Sequence, residues 1–76
     1  GIVQGLGAAL FEHCIYDTEG QLQNGTMADY LVPMATEMPD IDCAHVVSMT
    51  RSSELGAKGA GEAGTAGAPA AVMNAL

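Results

Sequence analysis

Residues 56–74, GAKGAGEAGTAGAPAAVMN, constrain this chain more than any other stretch. They hold five of its ten glycines and only two charged side chains, Lys58 and Glu62. A segment with so few side chains cannot build a core of its own. It can bring backbone N–H groups close to a ligand or a neighbour, because glycine carries no Cβ and permits φ > 0. Glu62 stands between Gly61 and Ala63, with little bulk to cover it. That carboxylate is the first candidate for chemistry.

The flanking residues separate a functional loop from a flexible Gly/Ala tether. Upstream, His45-Val46-Val47-Ser48-Met49 has the short, β-branched character of a strand. Downstream, Pro69, Val72, Met73 and Leu76 recur at helical spacing, with Thr65 placed as an N-cap and Pro69 in the first turn. Strand, glycine loop and helix start describe an anion or cofactor cradle. Gly59-Ala60-Gly61-Glu62-Ala63-Gly64 satisfies G-x-G-x-x-G, but a dinucleotide site needs a second strand and an acid about 20 positions later for the ribose. The 76 residues contain neither, and Glu62 would face the pyrophosphate. A Walker loop fails as well, since Lys58 precedes most of the glycines.

Two basic residues against nine acidic ones give a net charge of −7. Phosphate neutralisation needs clustered cations, so no nucleic-acid partner is expected. No apolar run approaches the ~18 residues of a membrane span, and no targeting segment is recognisable, which predicts a soluble, cytoplasmic protein. Cys14 and Cys43 fit no zinc spacing, and adjacent residues such as His13 and Cys14 point about 100° apart on a helix. No metal ligation by side chains is expected. The two thiols are expected to be buried and reduced, a disulfide being possible only in an oxidising compartment.

From the N-terminus, residues 1–13 read as a helix. Ile2, Val3, Leu6, Ala9 and Leu10 share one face, and Gln4, Gly7, Ala8, Phe11 and Glu12 the other. Gly5 and Gly7 each cost the helix ~1 kcal/mol relative to alanine, so their use is close approach beside Gln4. Cys14-Ile15-Tyr16 and Gln21-Leu22-Gln23 flank the turn-rich Asp17-Thr18-Glu19-Gly20 and predict a strand pair, and Asn24-Gly25 marks another turn. Residues 27–30 suit a helical turn that ends before Pro33. Glu37, Asp40 and Asp42 read as a solvated rim. Residues 42–49 form the strand entering the glycine loop, with His45 at an edge or in the core. Lys58 can reach Glu62 if the loop is helical, though Lys before Glu is the less favourable order, and the preferred expectation is that it helps hold the cofactor side of the loop. The fold class expected is α+β: an N-terminal helix, short strands, and a glycine-rich loop leading into a C-terminal helix.

GAKGAGEAGTAGAPAAVMNAL resembles the C-terminal segment of the molybdenum hydroxylases, the xanthine dehydrogenase, aldehyde oxidase and aerobic carbon monoxide dehydrogenase group. Gly61-Glu62 stands where that family carries its Gly-Glu dipeptide, Val3-Gln4-Gly5-Leu6-Gly7 resembles its V-Q-G-L-G helix, and Tyr30-Leu31-Val32-Pro33 its Y-x-x-P loop. Three motifs in the right order cover essentially the whole chain. The resemblance implies that residues 1–76 are a single partial domain, a C-terminal piece of a molybdopterin-binding domain. That accords with an apolar content of 49% carried by small residues and only three aromatics.

The resemblance further implies Glu62 as the catalytic general base. Gln4, Gly59, Ala60 and Gly61 would line the molybdenum–molybdopterin cofactor, in its cytosine dinucleotide form and bound mainly by protein outside this chain. Implied partners are the remainder of the molybdenum-binding subunit, with iron–sulfur clusters and flavin on partner subunits or domains. The small-molecule substrate would be a purine, an aldehyde, an N-heterocycle or carbon monoxide. The fragment alone would be inactive and, with apolar faces uncovered, prone to self-association. The alternative is a non-catalytic interaction module that packs Gly/Ala-rich helices on a partner. A recessed Glu62 beside Gln4 would favour the enzyme, and an outward-pointing one the module.

Overall fold

Two helices, Ile2–Leu10 (α1) and Ala63–Ala75 (α2), are packed against each other in a computed structural model that describes all 76 residues. Their contact is made by small residues. A Cβ on Gly5 would lie 2.7 Å from Ala68 Cβ and 3.0 Å from Pro69 Cδ, and one on Gly64 would lie 2.9 Å from the Ile2 nitrogen. Gly1 and Gly5 on one element, and Gly64 and Ala68 on the other, are each four residues apart and therefore share a face. The backbones approach closely because no side chain holds them apart. Thr65 Oγ1 donates to the Gly1 carbonyl at 3.0 Å and ties the start of α1 to the first turn of α2.

The expected helix over 1–13 is shorter than its pattern. Phe11 and Glu12 both donate to the Gly7 carbonyl, at 2.9 and 2.8 Å, and the chain then leaves the helix. Asn24 redirects it: Nδ2 donates to the His13 carbonyl at 2.6 Å, and Ile15 N–H donates to Oδ1 at 2.9 Å. Asn24 is 7% exposed, the only buried polar side chain. It pairs main-chain groups that would otherwise be orphaned where the helix ends.

The strand pair over 14–23 is reduced to one antiparallel bridge between Tyr16 and Leu22. Its turn is held by Asp17, whose Oδ1 accepts from the Glu19 and Gln21 amides at 2.9 Å each, with Gln23 Nε2 on Oδ2 at 3.0 Å. The helical turn expected over 27–30 is present, with Tyr30 N–H donating to the Thr26 carbonyl at 2.8 Å. The strand expected over 42–49 does not form. No backbone group of residues 39–49 bonds to another backbone group, because the chain offers that segment no second strand. The architecture is thus helical with little sheet. Single 3-10 turns at Ala35–Glu37 and Glu54–Gly56 punctuate the connection.

Thr65 is not the N-cap of α2. Glu62 takes that position, so Pro69 lies beyond the first turn, inside the helix. Proline removes an interior hydrogen bond. The carbonyl that loses its i+4 donor, that of Thr65, lies beside Gly5, where an added Cβ would be 3.2 Å from it.

Folded alone, the chain has no buried hydrophobic side chain. Its surface of 6364 Å² compares with about 4,300 Å² expected for a compact protein of its mass. Its radius of gyration of 16.8 Å compares with about 11 Å. The apolar face predicted for α1 is only half covered: Ile2, Val3 and Leu6 are half-buried and Leu10 is 54% exposed, while the fully buried positions are Gly5 and Gly7.

Candidate functional site

Glu62 sits at the junction of the glycine loop and α2. Its carbonyl accepts from the Thr65 and Ala66 amides at 3.0 and 3.1 Å, which starts the helix. Its side chain is exposed and makes no capping bond. One role for that carboxylate is local: negative charge at a helix N-terminus complements the macrodipole by ~0.3–1 kcal/mol. That role leaves both oxygens free to act on another group.

The loop ahead of Glu62 divides its glycines by what faces them. Gly64 is a packing residue against Ile2. Gly56 has φ +71° and follows Leu55 at φ 58°, so the left-handed turn lies at the loop's start rather than beside Glu62. Gly59 and Gly61 have neither constraint: both lack positive φ, and a Cβ on either would meet nothing within 4 Å. The amides of residues 58–62 donate to no acceptor within the chain's backbone. A strip of free N–H donors with space above it can meet the oxygen and nitrogen acceptors of a cofactor such as a pterin ring. The residues present therefore fit the group.

Gln4 is exposed on α1, held to α2 through the adjoining Gly5. Ala60 lines a half-open cavity of about 660 Å³ whose walls include Val3, Ile41, His45 and Ala63. Of the predicted site residues, the structure places Ala60 on this cavity. Gln4 and Glu62 stand on the two helices that the small-residue contact joins. Lys58 does not pair with Glu62: its Nζ donates to Ser48 Oγ at 2.7 Å. His45 is exposed rather than in a core, and Cys14 and Cys43 are exposed rather than buried, because the chain has no core to receive them.

The Tyr-x-x-Pro loop docks on α1. Tyr30 Oη donates to Glu12 Oε1 at 2.9 Å, and a Cβ on Gly7 would lie 2.8 Å from Pro33 Cδ. Hydrogen bonding to Glu12, with the repulsion of its charge, raises the Tyr30 hydroxyl above its usual value of 10.0. Sequence reasoning missed this pair, as it missed Asn24 and the Thr65 hydroxyl. Asn24 and Thr65 each adjoin a glycine, Gly25 and Gly64, that packs closely on another residue, which was the available signal for them; the Tyr30–Glu12 pair, 18 residues apart, offered none.

These contacts make a scaffold in which the three motifs meet, with the V-Q-G-L-G helix at the centre, the Tyr-x-x-Pro loop on one side and α2 on the other. Residues 1–39 match the family model of the molybdopterin cofactor-binding domain. That is more than half of the chain, and the chain belongs to this family. Several of its relatives are named as molybdenum-binding subunits of xanthine dehydrogenase or aldehyde oxidoreductase. It is 40% identical over 76 residues to the nicotine 6-hydroxylase large subunit of Paenarthrobacter nicotinovorans, covering 100% of this chain and 9% of that protein. It is 43% identical to subunit gamma of the 6-hydroxypseudooxynicotine dehydrogenase complex of the same organism, covering 97% of this chain and 9% of the relative. The carbon monoxide dehydrogenase large chain of Hydrogenophaga pseudoflava is 32% identical over 62 residues, which is 82% of this chain and 8% of that one. The chain thus spans about a tenth of the length of the curated relatives it matches.

Proposed function

We propose that this chain is part of a molybdenum-cofactor oxidoreductase that hydroxylates or oxidises a small organic substrate, and that Glu62 is its general base. The observation that carries this reading is the Gly59-Ala60-Gly61 strip: free amides and unfilled space immediately ahead of an unpartnered carboxylate. Nothing within the chain requires glycine at 59 or 61. A group from outside the chain gives those positions a reason.

In this reading the cofactor, in its cytosine dinucleotide form, supplies the redox centre that accepts the substrate's electrons. Glu62 takes up the proton released as an oxygen nucleophile forms and attacks a substrate carbon. Amides of Gly59, Ala60 and Gly61 donate to the cofactor's acceptors, and the Gln4 amide both donates and accepts beside it. The exposed Glu62 becomes recessed only when the remainder of the molybdenum-binding subunit covers this face. The isolated chain is therefore inactive. Partner subunits or domains in this reading would hold iron–sulfur clusters and flavin as the route for those electrons, in the cytoplasm. Among the substrate classes, N-heterocycles come first, because two of the relatives above are named for nicotine and a nicotine derivative.

The test is molybdenum and pterin analysis of the native complex that carries this chain, followed by Glu62→Gln within it. Molybdenum content should stay near normal while turnover falls roughly 10²–10⁴-fold. Wild-type turnover would end the base assignment, and a complex without molybdenum or pterin would end the enzyme reading. The outward exposure of Glu62, with 14 large apolar side chains on the surface, favours the second reading, a non-catalytic interaction module.

A further inference from the structure

The segment 39–49 is the least explained part of the molecule. None of its backbone N–H or C=O groups bonds to another backbone group, and the only polar contact to its backbone is Cys43 Sγ at 3.9 Å from the Ile41 carbonyl. Backbone groups are strong, obligatory donors and acceptors, and a row of them left unpaired is a template for a further strand. The side chains agree. Ile41, Val46 and Val47 are β-branched and suit a pleated, half-buried surface, yet Val46 is 98% and Val47 82% exposed. The first half of the segment walls the half-open cavity that Ala60 also lines. A body laid along the segment would close that cavity.

We infer that residues 41–49 are a strand awaiting its partner, an edge strand elsewhere in the same larger subunit. That strand pairs with the segment by main-chain hydrogen bonds and covers Val46 and Val47 with apolar side chains. Two observations favour this occupant over a second copy of the chain. Each copy carries a charge of −7, so self-pairing sets like charge against like. The relatives that align along the chain are about ten times its length, which leaves ample protein to supply the strand. The inference rests on the reading of this chain as one segment of a larger subunit. It is independent of the role given to Glu62.

Hydrogen exchange read by mass spectrometry tests it on the native polypeptide or complex that carries this sequence, beside the free 76-residue chain. The expected result is exchange of the 42–49 amides at least 100-fold slower than the free-peptide rate in the native assembly, and near that rate in the free chain at any concentration. Free-peptide exchange in the native assembly would overturn the proposal. So would protection that grows with concentration in the free chain, since the partner would then be a second copy. Molybdenum analysis of the same preparation separates the two failures. Metal present with unprotected amides removes the strand pairing alone, and absence of metal from a protected assembly removes the enzyme reading alone.

Discussion

Thr65 Oγ1 lies 3.0 Å from the main-chain oxygen of Gly1, a hydrogen bond between residues 64 apart in sequence. It closes the contact between the helix that carries Gln4 and the helix that begins at Glu62. The two candidate site residues are thus set relative to each other by a hydroxyl and a row of missing side chains.

Removing that hydroxyl should loosen the pair. Thr65→Val, which keeps the shape, is expected to cost about 0.5–1.5 kcal/mol, and Thr65→Ser to restore most of it. Urea denaturation of the assembled protein, read as a midpoint shift at constant slope, checks this.

Glycines that look alike in sequence should behave differently. Gly5→Ala places a Cβ 2.7 Å from Ala68 Cβ and is expected to destabilise by about 1–3 kcal/mol through overpacking. Gly59→Ala meets nothing in the chain and should leave thermal stability of the cofactor-free protein unchanged while lowering bound molybdenum. Melting curves and metal content, measured on both variants, separate packing from cofactor contact.

Asn24 is nearly buried and serves both His13 and Ile15. Asn24→Ala leaves a carbonyl and an amide without partners, at a cost of about 1–3 kcal/mol. Faster exchange of the Ile15 amide in the variant is the direct readout.

The Tyr30 hydroxyl has its pKa raised, chiefly by its bond to Glu12. The folded state holds this proton more tightly than the unfolded state. The linked stability is therefore fully present below the unfolded value of 10.0 and is lost as pH rises through the higher folded value. Ultraviolet titration should show a phenol ionising above 10.0 in the native protein, and Tyr30→Phe should abolish that late step.

The sequence carried the two helices, the turn ahead of Pro33 and the family, because these depend on local spacing and on residues in order. Its choice of Glu62, a lone carboxylate among glycines, stands as the proposal made above. The strand it announced over 42–49 does not form within these 76 residues. β-branched residues announce a strand, but a strand exists only where a second one is supplied. It misplaced the N-cap as well, since Thr65 suits a cap by type and is drawn instead to Gly1.

The sequence alone determined which residues are small, which are charged and how the helices are phased. Tertiary structure decided what each glycine is for. Gly5, Gly7 and Gly64 hold backbones and loops together, while Gly59 and Gly61 face open space. The physical reason is that a glycine's role is set by whatever occupies the place of its absent Cβ, and that neighbour comes from a distant part of the chain.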